Sequence, residues 1–94
     1  MIIEIRRGRA KQKERQVTEP MFLVGGNSDC DMVLGDPQFQ PVHFYILSRN
    51  GASSIRRVGP APDLSVNGKL VRSSRLADGD RIRTGPYEFV VKAA

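Results

Sequence analysis

The sequence holds a single cysteine, a single histidine and no tryptophan, and it contains no long apolar run. One cysteine cannot close an internal disulfide, and one cysteine with one histidine cannot supply the four ligands of a structural zinc site. Nothing approaches the ~18 consecutive apolar residues of a membrane helix, so no membrane span is predicted. The opening segment is also too short and too polar for a signal peptide. By elimination, we expect a cytoplasmic protein in a reducing environment.

A clean helical stripe is also missing. Nine glycines and six prolines interrupt the chain, and the only candidate window, residues 10–17, is polar all round. Short apolar runs with a period of two alternate instead with turn residues. Asn67-Gly68 is the strongest hairpin signal, because both residues tolerate the positive φ of a tight two-residue turn. Residues 1–94 are therefore predicted to form a single all-β domain, either a sandwich or a barrel.

Positive charge is concentrated near the N-terminus. The net charge of +5 comes entirely from residues 6–15, since the other residues balance at nine of each sign. This basic patch contains one carboxylate, Glu14, and six cations: Arg6, Arg7, Arg9, Lys11, Lys13 and Arg15. Such a run favours a solvated hairpin. The alternative is a surface for an acidic partner, meaning nucleic acid, anionic lipid, or an acidic or phosphorylated protein.

Residue types that carry catalysis are not grouped in this sequence. His43 has no G-x-S-x-G elbow and no evident cysteine partner. Gly25-Gly26 is not followed by the Gly-Lys-Ser/Thr of a phosphate-binding loop. The carboxylates between residues 29 and 36 lack the ligand spacing and closing glutamate of a calcium loop. We therefore predict a non-enzymatic protein with no catalytic residue, no metal site and no cofactor.

Taken in order, the motifs resemble a forkhead-associated (FHA) domain. The run L-V-G-G followed by S-D-C-D-M-V-L is similar to the family's glycine-arginine loop and the strand after it. Asp36-Pro37 and then His43 before an apolar strand resemble its serine-x-x-histidine region. V-N-G-K and L-A-D-G-D-R-I resemble its closing half. The resemblance extends from about Phe22 to Val91. It implies an antiparallel two-sheet β-sandwich of FHA/SMAD-like type whose loops at one end bind phosphothreonine peptides.

The positions that contact phosphate in that family are not kept. The family's arginine falls on Gly26, and its serine, three residues before the histidine, falls on Gln40. Only His43 matches, and the resemblance implies that it braces a loop, which we expect it to do through hydrogen bonds to nearby backbone. Losing one charged contact costs about 1.5–3 kcal/mol, so two losses take a weak phosphopeptide binder below useful affinity.

The position of the remaining family residues is ambiguous. The family's serine and asparagine before the N-G turn fall in residues 59–62, G-P-A-P, which offer neither. Ser65 and Asn67 spell S-x-N-G with their neighbours and are the alternative, although the preceding strand favours a plain hairpin turn. The candidate residues for contact with a peptide or partner are accordingly Gly26, Asn27, Ser28, Gln40, Ser65 and Asn67.

Three functional hypotheses follow. The leading one is a degenerate FHA-type module that binds another protein without phosphothreonine and serves as a scaffold. The second keeps phosphopeptide binding and moves the positive charge to Arg7, Arg9 or Arg49. The third is RNA binding, because residues 66–82 are also similar to the closing segment of S4-type modules. Those modules need two helices just upstream, where helical periodicity is missing. We therefore expect a protein partner and disfavour both nucleic acid and a phosphothreonine peptide.

Overall fold

The computed structural model describes residues 1–8 and 13–92, and strands make up its regular structure. In chain order the strands are β1 (Ile2–Arg7), β2 (Glu14–Gln16), β3 (Met21–Gly25), β4 (Met32–Val33), β5 (Phe44–Arg49), β6 (Ala52–Arg57), β7 (Leu64–Val66), β8 (Lys69–Leu70), β9 (Ser73–Leu76), β10 (Arg81–Thr84) and β11 (Tyr87–Lys92). The described residues include no helix that could cross a membrane. Between β3 and β6 the chain forms strands, not the two helices that an S4-type module requires.

The strands form a two-sheet sandwich, which confirms the predicted fold. One sheet has the order β2-β1-β11-β10-β7-β8 and the other β4-β3-β5-β6-β9. The pairings are antiparallel with one exception, since β3 and β4 are parallel, with Val24 opposite Met32 and Gly25 opposite Val33. The parallel pair is the one departure from the predicted antiparallel pairing. It forms because residues 26–31 loop back beside β3 instead of turning as a hairpin.

The core lies between the two sheets and follows the period-two pattern of the sequence. Tyr87, Phe89 and Val91 of β11 are each no more than 2% exposed, while the residues between them are half-buried. Phe44 of one sheet meets Phe89 of the other edge to face, with ring centroids 6.0 Å apart. The buried cluster comprises Ile3, Val17, Phe22, Val24, Met32, Leu34, Phe39, Phe44, Ile46, Ile55, Leu64, Val66, Ile82, Tyr87, Phe89 and Val91.

Strand directions place the connecting segments at two opposite ends of the sandwich. The first, called here the His43 end, holds the loops of residues 26–31, 34–43 and 58–63 together with the turn after Thr84. The second, called here the Asn67 end, holds the β5–β6 turn, the β7–β8 turn and the turn of residues 77–80. The positions of all candidate residues depend on this division.

The Asn67-Gly68 turn is confirmed, since these residues have φ values of 54° and 84°. Both polar groups of the Asn67 side chain also form hydrogen bonds, to the turn before β10 and to the first residue of β10. Its Nδ2 donates to the Asp80 carboxylate at 2.9 Å, and its Oδ1 accepts from the Arg81 N–H at 2.9 Å. Asn67 therefore ties the β7–β8 turn to the turn that precedes β10.

Replacing Asn67 by Ala should destabilise the fold by about 1–3 kcal/mol, because both hydrogen bonds are lost and the left-handed backbone conformation disfavours alanine. The expected result is a lower urea midpoint with an unchanged slope. Lys69→Ala, in the adjoining exposed strand, is the control and should leave the midpoint unchanged. An Asn67→Ala protein as stable as the parent would contradict this role.

Candidate functional site

The first two loops at the His43 end are joined directly. The Gly26 N–H donates to the Gln40 carbonyl at 2.9 Å, and the Asn27 N–H donates to the Pro41 carbonyl at 3.1 Å. The Cys30 thiol donates to the same Pro41 carbonyl at 3.0 Å. The structure thus brings Gly26, Asn27 and Gln40 together at the tip of the sandwich.

Close backbone approach explains the glycines of this loop. A Cβ on Gly25 would lie 2.3 Å from the Pro41 carbonyl oxygen, so only glycine fits there. A Cβ on Gly26 would lie 3.1 Å from the Phe39 carbonyl oxygen, a contact that a shift of a few tenths of an ångström relieves. Gly25 is therefore required by packing, whereas a side chain at Gly26 requires the backbone of residues 39–40 to shift by a few tenths of an ångström.

Cys30 secures the loop and does not act as a reactive thiol. Burial raises its pKa, and the carboxylates of Asp31 and Asp29 raise it further. A protonated, buried thiol is a poor nucleophile but can donate a hydrogen bond. Its contact with Pro41 is therefore structural.

His43 is completely buried between the sheets, at 0% exposure. Its backbone N–H donates to the Val24 carbonyl at 2.8 Å, and its carbonyl accepts from the N–H groups of Val58 and Gly59 at 2.7 and 3.0 Å. Its ring Nε2 lies 2.7 Å from the Thr84 hydroxyl oxygen in the other sheet. The ring's partner is thus a hydroxyl of β10, not the nearby backbone that we expected from the sequence.

The environment of the imidazole keeps it neutral. Burial lowers the pKa of His43, and the positive charge of Arg57 lowers it further. Its other nitrogen, Nδ1, is buried without a hydrogen-bond partner among the described residues. Gly59 packs so closely that a Cβ there would lie 2.8 Å from Nδ1. A neutral ring shielded from solvent suits a bracing role and not acid–base chemistry.

Aromatic packing fixes the second loop against the six-stranded sheet. Phe39 packs edge to face on His43, with centroids 4.9 Å apart, and on Tyr87, with centroids 5.4 Å apart. The Tyr87 hydroxyl also accepts a hydrogen bond from the Gly35 N–H at 3.0 Å. The loop of residues 34–43 is therefore held in place at several points along its length.

An open depression of about 430 Å³ lies between the first and second loops. Among its lining residues Val33 is 43% exposed, and Asp36 is the only ionisable group. The Asp36 carboxylate accepts hydrogen bonds from the Gln38 N–H at 3.0 Å and from the Gln38 amide at 2.8 Å. The lining residues are Gly26, Asn27, Val33, Leu34, Gly35, Asp36, Pro37, Phe39 and Pro41. The surface of this depression carries no cation and is largely apolar.

Two candidate residues do not belong to this site. Ser65 lies within β7, and Asn67 lies in the turn after it, at the Asn67 end. The S-x-N-G run forms the hairpin turn and not a loop beside Gly26 and Gln40, so the structure does not bring these two candidates together with the others. Ser28 remains exposed in the first loop.

Arg15 of the basic patch contacts the segment where the first loop leads into β4. The Arg15 guanidinium donates to the Asp31 carbonyl at 2.8 Å and lies 5.5 Å from the centroid of the Phe22 ring. Arg15 also lies 3.9 Å from the Glu19 carboxylate. Arg15 thus supports the end of the first loop, and its charge is already shared with that carboxylate.

The other members of the patch are placed differently. Arg6 forms an ion pair with Glu4, and the backbone carbonyl of Lys13 accepts a hydrogen bond from Ile5 at 2.7 Å. Arg7 is exposed and lies opposite Glu88 at the start of β11, on the His43 side. Arg9 and Lys11 lie outside the described residues.

The arginines proposed as substitute phosphate contacts are dispersed. Arg49 ends β5 beside the β5–β6 turn, at the Asn67 end. Of the three proposed arginines, Arg7 is the one that the described residues place at the His43 end. Within residues 1–8 and 13–92, no three histidine, cysteine or carboxylate side chains gather in a group that could hold a metal.

Sequence reasoning missed the importance of Thr84, Val33 and Pro37. The sequence contains a clue to Thr84, because it lies two residues after Ile82 in R-I-R-T. Side chains two residues apart in a strand face the same side, so Thr84 points into the core as Ile82 does. A polar side chain at an inward position needs a buried partner. No comparable local signal marks Val33 or Pro37, since the depression forms only when the two loops meet.

The lowered pKa of His43 predicts a pH-dependent stability. Between the folded-state pKa and the unfolded value near 6.5, the unfolded chain binds more protons. Stability should therefore be full above about pH 7 and fall as the pH drops through about 6.5. Urea unfolding followed by circular dichroism at several pH values between about 7.5 and 5.5 measures this effect, above the range where carboxylates titrate.

Two variants identify the group responsible. His43→Gln should remove the pH dependence in this range. Thr84→Val, which keeps the histidine and loses its partner, should lower stability and retain the pH dependence. A parent protein equally stable at both ends of the range would refute the assignment.

A sequence model for the family described as the inner membrane component of T3SS (type III secretion system), cytoplasmic domain, matches residues 4–94. A search of curated protein sequences finds no match. Several solved structures share the fold. One comes from a structural and functional study of phosphothreonine-dependent FHA domain interactions. It has a TM-score of 0.85 and 23% identity, covering 97% of this chain and 93% of that chain.

Two bacterial structures resemble this chain to a similar degree. The FHA domain of the CT664 protein from Chlamydia trachomatis has a TM-score of 0.82 and 18% identity, covering 95% of this chain and 92% of that chain. The cytoplasmic domain of the T3SS sorting platform protein PscD from P. aeruginosa has a TM-score of 0.80 and 18% identity, covering 95% of this chain and 76% of that chain. At these identities, the structures establish the fold alone.

The family model matches nearly the whole chain, and the two-sheet sandwich matches the solved FHA domains. The chain belongs to the family of the cytoplasmic domain of the inner membrane component of T3SS, a domain of FHA type.

Proposed function

We propose that this FHA-type module binds its protein partner without phosphothreonine, through the depression at the His43 end. The observation that carries the proposal is the lack of charge at Gly26 and Gln40 and the hydrogen bond between their backbones. Neither residue has a charged side chain, and the Gly26 N–H is already bonded to the Gln40 carbonyl at 2.9 Å. At position 26 the tip therefore offers a phosphate neither a cation nor a free backbone N–H.

The energetic argument concerns charge. A phosphate dianion is held by charge-assisted and preferably bidentate hydrogen bonds. The neighbouring Asn27 N–H is also engaged, with the Pro41 carbonyl at 3.1 Å. Asp36, the ionisable group in the depression, is negative and would repel a phosphate. The arrangement therefore favours an uncharged ligand group over a phosphate.

An apolar side chain of a partner fits this depression better. Exposed Val33, together with Pro37 and Pro41, offers apolar contact surface, and the buried ring of Phe39 forms its floor. Interfaces commonly gain most of their affinity from one or two apolar anchors seated in such a depression. His43 and Thr84 would act indirectly, by keeping the loops in position.

The family sets the context of the proposal. Its members are cytoplasmic domains of a T3SS inner membrane component, and the similar P. aeruginosa domain belongs to a sorting platform protein. We therefore place this module on the cytoplasmic side of the inner membrane, as a non-catalytic scaffold that holds another protein of a secretion assembly.

The parent protein should show no phosphate-dependent binding to a degenerate phosphothreonine peptide library, compared with the same library unphosphorylated. Calorimetry or fluorescence polarisation up to millimolar peptide measures this. The double substitution Gly26→Arg with Gln40→Ser should create phosphate-dependent binding, because it restores a cation and a hydroxyl on the retained frame. Saturable, phosphate-dependent micromolar binding by the parent would overturn the proposal.

The same assay tests the relocated-arginine hypothesis. If the parent binds phosphopeptide and Arg7 supplies the positive charge, Arg7→Glu should abolish that binding. Arg49→Glu is the matched control, because Arg49 lies at the Asn67 end.

Partner binding should depend on the apolar depression. In pull-downs from the source cell, Val33→Asp should reduce recovery of the partner at least tenfold, since about 1.4 kcal/mol corresponds to a factor of ten. Leu70→Asp is the control, because Leu70 is 67% exposed in β8. Phosphatase treatment should leave recovery unchanged. Loss of the partner after phosphatase, or equal recovery with both variants, would contradict the proposed mode.

A further inference from the structure

The two sheets present very different outer faces to solvent. On the six-stranded sheet, Glu4 forms ion pairs with Arg6 and Lys92, and Lys92 also lies 3.7 Å from Glu14. Further along the same face, Arg83 lies 3.3 Å from Glu88. Charged residues in mutual contact are the usual covering of a solvent-facing antiparallel sheet.

Among residues 1–8 and 13–92, no comparable set of ion pairs covers the outer face of the five-stranded sheet. Met21 lies opposite Leu47, and Leu23 lies opposite Tyr45, so two apolar cross-strand pairs are adjacent on β3 and β5. Met21 is 49% exposed and Leu47 38% exposed, and the other two are half-buried. These four residues define the outer apolar face.

Three arginines border this face, because Arg49 of β5 lies two residues beyond Leu47 on the same side of the sheet. Arg56 of β6 lies opposite Tyr45, and Arg75 of β9 lies opposite Ser54, which is itself opposite Leu47. The two guanidinium groups stand on the same side of the sheet, diagonally across β6 and β9. Within the described residues, neither guanidinium forms a hydrogen bond or an ion pair. The face therefore has an apolar half on β3 and β5 and an unneutralised positive half on β6 and β9.

The dimensions of this face suit a helix. Strands lie about 4.8 Å apart, so β3 to β9 span about 14 Å. A helix with its side chains is about 10–12 Å wide. A helix lying along the strands would place one face on Met21 and Leu47 and its flank above Arg56 and Arg75. Apolar sheet faces in folded proteins are characteristically covered by such a layer.

Charge distinguishes between possible occupants. A second copy of this chain carries the same net charge of +5, and its own outer apolar face is bordered by the same arginines. A helix with glutamate or aspartate along one flank would instead neutralise Arg56 and Arg75. We propose that the outer apolar face binds an acidic amphipathic helix of another protein, at a surface separate from the depression at the His43 end.

The test uses two synthetic helical peptides with the same leucine stripe, one flanked by glutamates and the other by lysines. Titration into the ¹⁵N-labelled domain should show saturable binding of the acidic peptide, with amide shifts concentrated on β3, β5, β6 and β9. The lysine peptide should bind at least tenfold more weakly. Equal binding of both peptides, no binding, or shifts concentrated on the loops of the His43 end would overturn the proposal.

Variants separate this surface from others. Leu47→Ser should weaken the acidic peptide at least tenfold, and Arg56→Glu with Arg75→Glu should reverse the preference towards the lysine peptide. Arg81→Glu, exposed in the other sheet, and Pro37→Ser, in the depression, should leave binding unchanged. Since Pro37 lies in the second loop and not in a strand of this sheet, failure of one proposal leaves the other intact. Self-association in sedimentation velocity that Leu47→Ser abolishes would identify a second copy as the occupant and refute the helix.

Discussion

The hydrogen bond between His43 and Thr84 is the interaction on which the loop end depends. It joins the start of β5 in one sheet to the end of β10 in the other, at 2.7 Å and without solvent contact. The backbone of His43 also bonds to Val24 in β3 and to Val58 and Gly59 at the start of the third loop. If either buried polar group lost its partner, its desolvation would cost free energy with no compensating hydrogen bond. The paired arrangement is therefore strongly favoured over one in which the two groups are apart. Three loops and two sheets are thereby held in one fixed geometry.

That frame is independent of what the tip of the loops binds. A Cβ on Gly25 would lie 2.3 Å from the Pro41 carbonyl oxygen, whereas a Cβ on Gly26 would meet the nearest backbone oxygen at 3.1 Å, and Gln40 is exposed. Residues of the frame and residues of the tip can therefore change separately, which is why one fold supports different binding chemistries. Here the fold of an FHA domain is retained, and positions 26 and 40 at the tip hold a glycine and a glutamine, neither of which is charged.

The distribution of charge gives the sandwich a second asymmetry. Ion pairs neutralise much of the outer face of the six-stranded sheet, while on the other sheet Arg56 and Arg75 have no ion-pair partner in the described part of the chain. Net charge alone did not reveal this, because residues outside the basic patch balance to zero. Neutrality in the sequence therefore concealed a surface with separate apolar and positive halves.

The sequence by itself determined the features that local physics controls. Alternating apolar residues set the strands such as β11, and Asn67-Gly68 set a turn through its backbone conformation. Only the tertiary structure decided features that depend on distant pairing. The short polar strands β2 and β9 have no apolar pattern of their own and exist because β1 and β6 supply hydrogen-bond partners. Strand direction likewise placed Ser65 and Asn67 at the end opposite Gly26 and Gln40 and gave His43 its partner Thr84, 41 residues away. Local preference acts within a few residues, whereas register across a sheet is fixed only when the whole core is assembled.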